Sequence, residues 1–401
     1  MPRQGSILQK TGNFFRLYHH ICGETEIPAI YHFWSCVGLI SAVLEDRCWC
    51  EIYKDVPLKP NLYICLIGPG SLGKGMAISQ ALDLLDRSVQ TNYYRGKITY
   101  AHLIDCLGKK THDDWGREVI ANPRTWLVMD ELKNGVGGNK SLAEEFIALM
   151  TELYTATNYK MQTGTRKHGE VTLIKPNVNW LFGSTEVWLR QVLTKDIFES
   201  GFVARACFIF AKYDLQKRVS RPKYPGDYVQ VYEHLKTRLW MMQGYQGRFL
   251  MTPTAEAEMD KWYETRAVPE DEVLYSAWMR QREMLLRFAM ILCVADGGQM
   301  IIRHGHLVQA SRMVKQIENF TGRLIESASE SFDSKPINDV GKYIKSKKVV
   351  MHSELLRYMR AKRGYKAQRV REALDSLEQE GFVVAGQFGP RGGMGYSWVD
   401  V

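Results

Sequence analysis

One run, Gly68-Pro69-Gly70-Ser71-Leu72-Gly73-Lys74-Gly75, constrains this 401-residue chain more than any other feature. It follows Asn61-Leu62-Tyr63-Ile64-Cys65-Leu66-Ile67, an apolar run of the kind that forms a fully buried parallel strand. A helical period comes after it, from Ala77 to Leu85. Strand, glycine-rich loop and helix at the spacing GxxxxGK make a P-loop. The glycines let the backbone wrap tightly, so successive N–H groups converge on phosphate oxygens, and the helix adds its positive end. Lys74 is expected to reach the β- and γ-phosphates of ATP. The expected nucleotide-binding residues are Gly68, Pro69, Gly70, Ser71, Leu72, Gly73, Lys74, Gly75 and Met76. Gly75 stands where a P-loop has the Ser or Thr that ligates Mg²⁺, and Met76 offers no hydroxyl either. Magnesium is therefore expected to lean on water, phosphates and Asp130.

Three further apolar runs have the same character. Thr125–Met129 ends in Asp130-Glu131, Val178–Gly183 ends in Ser184-Thr185, and the third is Ala206–Phe210. Helical periods such as Leu142–Thr155 lie between them. Buried strands alternating with helices mean an α/β fold with a parallel core sheet. Adjacent acids at a strand end can be plain surface residues. At this distance after a P-loop they read as a Walker B pair, with Asp130 holding Mg²⁺ and Glu131 polarising the attacking water as general base.

The remaining segments carry charge. Thr163–Gly169 is a polar tip between two β-prone runs, with Arg166, Lys167 and His168 on it. Such a hairpin suits tracking along a nucleic-acid backbone, or is a solvated hairpin with ordinary surface charge. Residues 1–58 read as helical, with a strand near Cys48–Tyr53, and Tyr228–Ser331 reads as helical throughout. A break is expected at Ser331–Pro336. Beyond it come three helices, then strands at Phe382–Ala385 and Tyr396–Val399 around a glycine-rich tip bearing Arg391. The helix from Lys366 to Glu380 carries an apolar stripe of Ala367, Val370, Leu374 and Leu377, with Lys366, Arg369 and Arg371 on its other face. This is the winged-helix order, whose second helix enters a major groove. The same fold also serves protein contacts. Residues 335–401 hold 13 Lys and Arg against 7 Asp and Glu, which favours DNA.

Apolar residues at 45% and charged residues at 24% exclude collagen-like, disulfide-scaffold and disordered chains. Several of the 8 cysteines lie in apolar runs, as buried free thiols of a reducing compartment do. His19, His20, Cys22, Cys48 and Cys50 admit a zinc reading, but no CxxC pair supports it. The first ten residues lack an apolar signal core, and Ile27–Leu44 is short for a membrane span. A soluble cytoplasmic protein is expected, with Ile27–Leu44 as a core helix.

Residues 160–185 resemble the pre-sensor hairpin and sensor-1 strand of the minichromosome-maintenance (MCM) AAA+ helicases. Lys167-His168-Gly169 matches the hairpin tip, and Thr185 falls at the sensor-1 asparagine. Gly201-Phe202-Val203-Ala204-Arg205-Ala206 resembles the arginine-finger segment. Arg280-Gln281-Arg282-Glu283-Met284-Leu285-Leu286-Arg287 is similar to the sensor-2 helix, with Arg280 at the sensor position. MCM-like replication helicases of phages and plasmids look most similar. The resemblance spans roughly residues 30–400 as an ordered set of short motifs. It implies an AAA+ core at 59–226, a helical N-terminal segment at 1–58, a helical lid at 227–332 and a winged helix at 337–401. It also implies an ATP-driven DNA helicase that forms a ring, hexameric in the family's manner, with single-stranded DNA in the channel and a primase or other replication protein as partner. Catalytic roles would fall to Lys74, Asp130, Glu131, Thr185, Arg205 and Arg280.

Other functions share parts of this pattern. A replication initiator or helicase loader would carry every motif without translocating. A degenerate ATPase used as a DNA-binding scaffold is consistent with Gly75. A nucleoside monophosphate kinase has a similar loop, including Gly after the lysine, but places it at the extreme N-terminus and lacks a basic winged helix.

Overall fold

A computed structural model of the chain describes residues 7–54, 56–136, 138, 140–155, 160–165, 169–193, 197, 200–214, 216–269, 274–388 and 392–399. The described chain is mixed α/β and divides into two compact units, one ending at Gly322 and the other beginning at Arg323.

The first unit is built on five parallel strands: β1 (Tyr63–Ile67), β2 (Tyr93–Arg95), β3 (Arg124–Met129), β4 (Asn177–Ser184) and β5 (Ala206–Phe210). Their order is β5-β1-β4-β3-β2. Four of them are the apolar runs of the sequence, buried almost throughout. The edge strand β2 has three residues, too few for a readable pattern.

Helices α1 (Phe14–Cys22) and α2 (Ala29–Leu44) precede the sheet. Then come α3 (Lys74–Asp86), α4 (Lys140–Thr155), α5 (Glu186–Val192), α6 (Tyr228–Gln243) and α7 (Tyr275–Ala295). Helix α2 lies close on one face of the sheet. A Cβ at Gly38 would stand 3.4 Å from Ile64 and 3.7 Å from Trp126. Among the described residues no helix is long and apolar enough to cross a membrane. On the other face Trp180 stacks on Phe182 at 4.0 Å and meets Phe146 of α4 edge-on at 5.4 Å. These ring pairs add to the transfer free energy of the buried area.

Helices α6 and α7 share one hydrophobic core with α1, α2 and the sheet. The segments expected at 1–58 and 59–226, and the expected lid at 227–332 as far as Gly322, thus belong to a common packing unit, and the last residues of that lid fall in the second unit. Two-residue strands interrupt the region read as wholly helical: Gly247–Arg248 pairs with Cys48-Trp49, and Leu250–Met251 with Ile301–Ile302. Such short pairs have no period to read. Arg287 of α7 is buried at 1% exposure and ties this helix to the chain entering β1. Its Nη1 donates to the Lys59 carbonyl at 2.7 Å, the Asn61 carbonyl at 2.8 Å and the Asn61 side-chain oxygen.

The basic hairpin is present as strands Lys160–Thr165 and Gly169–Ile174. It is not a continuation of the central sheet. Gly169–Ile174 pairs in parallel with Glu118–Ala121, which pairs with Thr111–His112, making a separate four-stranded sheet. The tip residues Arg166, Lys167 and His168 lie outside the described residues.

Helix α8 (His304–Lys347) continues through residues 331–336, where a break was expected, with Pro336 inside it. An internal proline costs about 3 kcal/mol. Packing on both sides offsets this: Ala310, Val314 and Ile317 belong to the first core, Val340 and Ile344 to the second. The second unit adds strand Val349–Met351, α9 (His352–Arg363), α10 (Ala367–Gln379) and strands Val383–Phe388 and Gly393–Trp398. The strands form an antiparallel sheet with Gly393–Trp398 in the middle. Strand Val349–Met351 went unread in the sequence. Helix α10 buries Val370, Ala373, Leu374 and Leu377, whereas Ala367 of the expected stripe is exposed. Lys366 and Arg371 are exposed, Arg369 is half-buried, and Arg391 lies outside the described residues.

Candidate nucleotide-binding site

The register of the central sheet brings the ends of all five strands to one edge. Ile67 lies beside Ser184 and Phe210, Phe182 beside Met129, and Val128 beside Arg95. The carboxyl edge of a parallel sheet is where open α/β folds bind ligands. Here β4 stands between the P-loop strand and the acidic strand, so the residue after its end reaches both.

The loop is held from below by α2. The Tyr31 hydroxyl donates to the Ile67 carbonyl at 2.7 Å, and a Cβ at Gly68 would stand only 2.3 Å from that hydroxyl. Gly73 has φ +84°, and a Cβ there would come 2.7 Å from Ile27. Conformation and space both demand glycine at this position. Gly73 caps α3, whose first residue is Lys74.

Lys74 is buried, and its Nζ donates to the Gly68 and Pro69 carbonyls at 2.8 Å each. Burial pushes its proton affinity below the ordinary lysine range, and the Glu131 carboxylate opposes that shift. Glu131 moves the other way. Burial raises its pKa, while the Lys74 charge and the Thr185 backbone N–H draw it down. Lys74 and Glu131 are thus electrostatic partners inside an open cleft of about 570 Å³, a size that suits a nucleotide.

Asp130 lines the same cleft and is gripped by Arg95, the last residue of β2. Arg95 Nη2 donates to both carboxylate oxygens at 2.8 Å, and its Nε donates to Oδ2 at 3.1 Å. Nη2 also donates to Ser79 Oγ at 2.8 Å, and Ser79 in turn donates to the Gly75 carbonyl at 2.8 Å.

Lys74, Asp130, Glu131 and Thr185 come together as expected, but Thr185 contributes differently. Its hydroxyl caps α5 by accepting from the Trp188 N–H at 3.4 Å. The Thr185 hydroxyl is thus engaged as a helix cap, while its backbone N–H lowers the proton affinity of Glu131. Arg205 and Arg280 sit elsewhere. Arg205 is buried and donates to the Gly201 carbonyl at 2.8 Å, with Arg280 as a like-charged neighbour. The residue after it, Ala206, pairs with Tyr63 at the start of β1. That is the strand end opposite the P-loop, about 13 Å away at 3.3 Å per residue. Arg280 pairs with Glu283 at 3.7 Å.

The donors present do not assemble a magnesium site. Gly75 has no hydroxyl, the Met76 side chain is exposed, and Arg95 occupies both Asp130 oxygens. Among the described residues no group of three or more His, Cys, Asp or Glu could hold a metal. The zinc reading fails for the same reason. Burial pushes the Cys22, Cys48 and Cys50 thiols up to about 12, as in a free-thiol core.

Sequence reasoning passed over Arg95, Ser79 and Gly183. A Cβ at Gly183 would stand 2.3 Å from the Asp130 carbonyl oxygen, so glycine lets β4 approach the acidic strand end. A glycine closing a strand of large side chains was the available signal. Gly183→Ala is expected to cost about 1–3 kcal/mol and to weaken nucleotide binding, as overpacking moves Asp130. Urea denaturation beside calorimetric titration checks both effects. No protein-family model matches the chain, and no curated protein matches it.

Proposed function

We propose that this chain binds and hydrolyses ATP at the P-loop and acts as a ring-forming DNA motor, a replicative helicase like the MCM-like proteins of phages and mobile elements. The observation that carries the reading is the convergence of Lys74 and Glu131 on one cleft, with the N-terminus of α3 behind them. Loop N–H groups and Lys74 take the phosphates, Lys74 exchanging two carbonyls for phosphate oxygens. Glu131 accepts the proton of the attacking water.

In this reading Arg205 and Arg280, remote from their own P-loop, serve the nucleotide of a neighbouring copy. Arg205 exchanges its bond to Gly201 for one to phosphate. Residues 227–332 act as the lid. The hairpin with Arg166, Lys167 and His168 follows single-stranded DNA in the channel of a hexamer. Lys366, Arg369, Arg371 and Arg391 of a winged helix hold duplex DNA, and a primase or other replication protein docks on the ring.

A second reading has specific support. Gly75 and the Arg95–Asp130 pair favour slow hydrolysis, and so a non-translocating initiator, a loader or a DNA-binding scaffold.

Lys74→Ala tests the common premise. ATP affinity is expected to fall about 10- to 100-fold, since a hydrogen bond to a charged group contributes about 1.5–3 kcal/mol. Unchanged affinity by calorimetry would sink the P-loop assignment. With binding established, ATP-dependent strand displacement on forked DNA separates the motor from the switch.

A further inference from the structure

The cleft lacks one cation-binding group and holds, besides Lys74, a second cation of its own. Gly75 removes the hydroxyl that would complete a metal site, yet space does not require glycine there. A Cβ would stand 3.6 Å from Asp130 Oδ1, an ordinary contact. On the facing side Arg95 spans the Asp130 carboxylate with Nε and Nη2 and is fixed a third time by Ser79. Its Nη1 makes no hydrogen bond among the described residues, although the side chain lines the same cleft as Gly70–Met76.

We propose that Arg95 is a phosphate-binding residue that takes the place of a divalent cation, bridging Asp130 to the phosphate tail of a nucleoside triphosphate. The chain then binds that nucleotide without a metal. The inference rests on the P-loop reading above. A guanidinium suits this work because its planar fork can engage a carboxylate on one edge while other N–H donors meet phosphate. Asp130 acts as the post that aims Arg95, and Ser79 fixes its plane through the Gly75 carbonyl. Lys74 and Arg95 balance Asp130 and Glu131, so the cleft is close to neutral before a ligand arrives.

The test is the affinity of a non-hydrolysable ATP analogue, titrated calorimetrically in magnesium and in EDTA. Wild-type affinity is expected to differ less than about threefold between the two. Arg95→Gln is expected to lose about tenfold or more in EDTA and to regain part of it in magnesium, because Asp130 is then free. Gly75→Thr in the Arg95→Gln background is expected to regain more. Collapse of wild-type binding in EDTA, with binding intact in magnesium, overturns the proposal and leaves the P-loop reading standing. That arm needs no variant, so a poorly folded Arg95→Gln cannot mask it. Arg95→Gln binding as tightly as wild type in EDTA also overturns it. Absence of binding in both conditions removes the P-loop reading, and this proposal with it.

Discussion

Glu131→Gln is expected to keep ATP binding near the wild-type level while hydrolysis falls about 10²- to 10⁴-fold, the range of a lost general base. The amide is isosteric, so its oxygen still accepts the Thr185 N–H that steadies Glu131. What it cannot do is take a proton from water. The pH dependence gives an independent check. Burial raises the Glu131 pKa above the ordinary 4.5, because it outweighs the Lys74 charge and the Thr185 N–H. The reactive carboxylate is therefore lost as pH falls, and at a higher pH than for an exposed glutamate. Single-turnover hydrolysis should show this acid limb in wild type and lack it in the variant. Turnover close to wild type would remove Glu131 from the chemistry.

Arg287→Met is expected to destabilise the first unit by about 3–5 kcal/mol, the cost of breaking a buried charged network on one side. The guanidinium satisfies the Lys59 and Asn61 carbonyls and lies 4.5 Å from the Tyr154 ring centroid. Methionine fills similar volume but donates nothing, so those carbonyls are left without partners. Each such orphan costs about 1–3 kcal/mol. Lysine would not rescue the site, since an ammonium lacks the planar face that lies over the Tyr154 ring. Urea denaturation followed by fluorescence and near-ultraviolet circular dichroism would measure the loss. A change under about 1 kcal/mol would mean that water or a repacked neighbour replaces the network.

The sheet was legible because its strands are buried on both faces, which makes Tyr63–Ile67 and Arg124–Met129 continuous apolar runs that periodicity can find. The P-loop and its two acids were legible for a related reason, since loop chemistry at strand ends is local in the chain. Arg95 was not. Its role depends on parallel pairing with Val128, and nothing near Tyr93-Tyr94-Arg95 announces a partner 35 residues on. Thr185 was read by position alone. Capping and backbone donation depend on where α5 begins, which a residue type does not reveal. The continuity of α8 through Pro336 went against local propensity, and two separate cores overrode it.

The grip of α2 on the loop reaches further than the loop. Tyr31 of α2 fixes the Ile67 carbonyl and Ile27, just before the helix, fills the space that Gly73 leaves, while the rest of α2 is embedded in the common core. A loop anchored in this way is preorganised, so little ordering entropy is lost when a ligand arrives. By mass action the ligand's free energy is then shared by the whole cooperative unit. A nucleotide at a hundred times its dissociation constant adds about 2.7 kcal/mol to global unfolding. Slowed hydrogen exchange would accordingly spread along α2, far from any atom that touches phosphate.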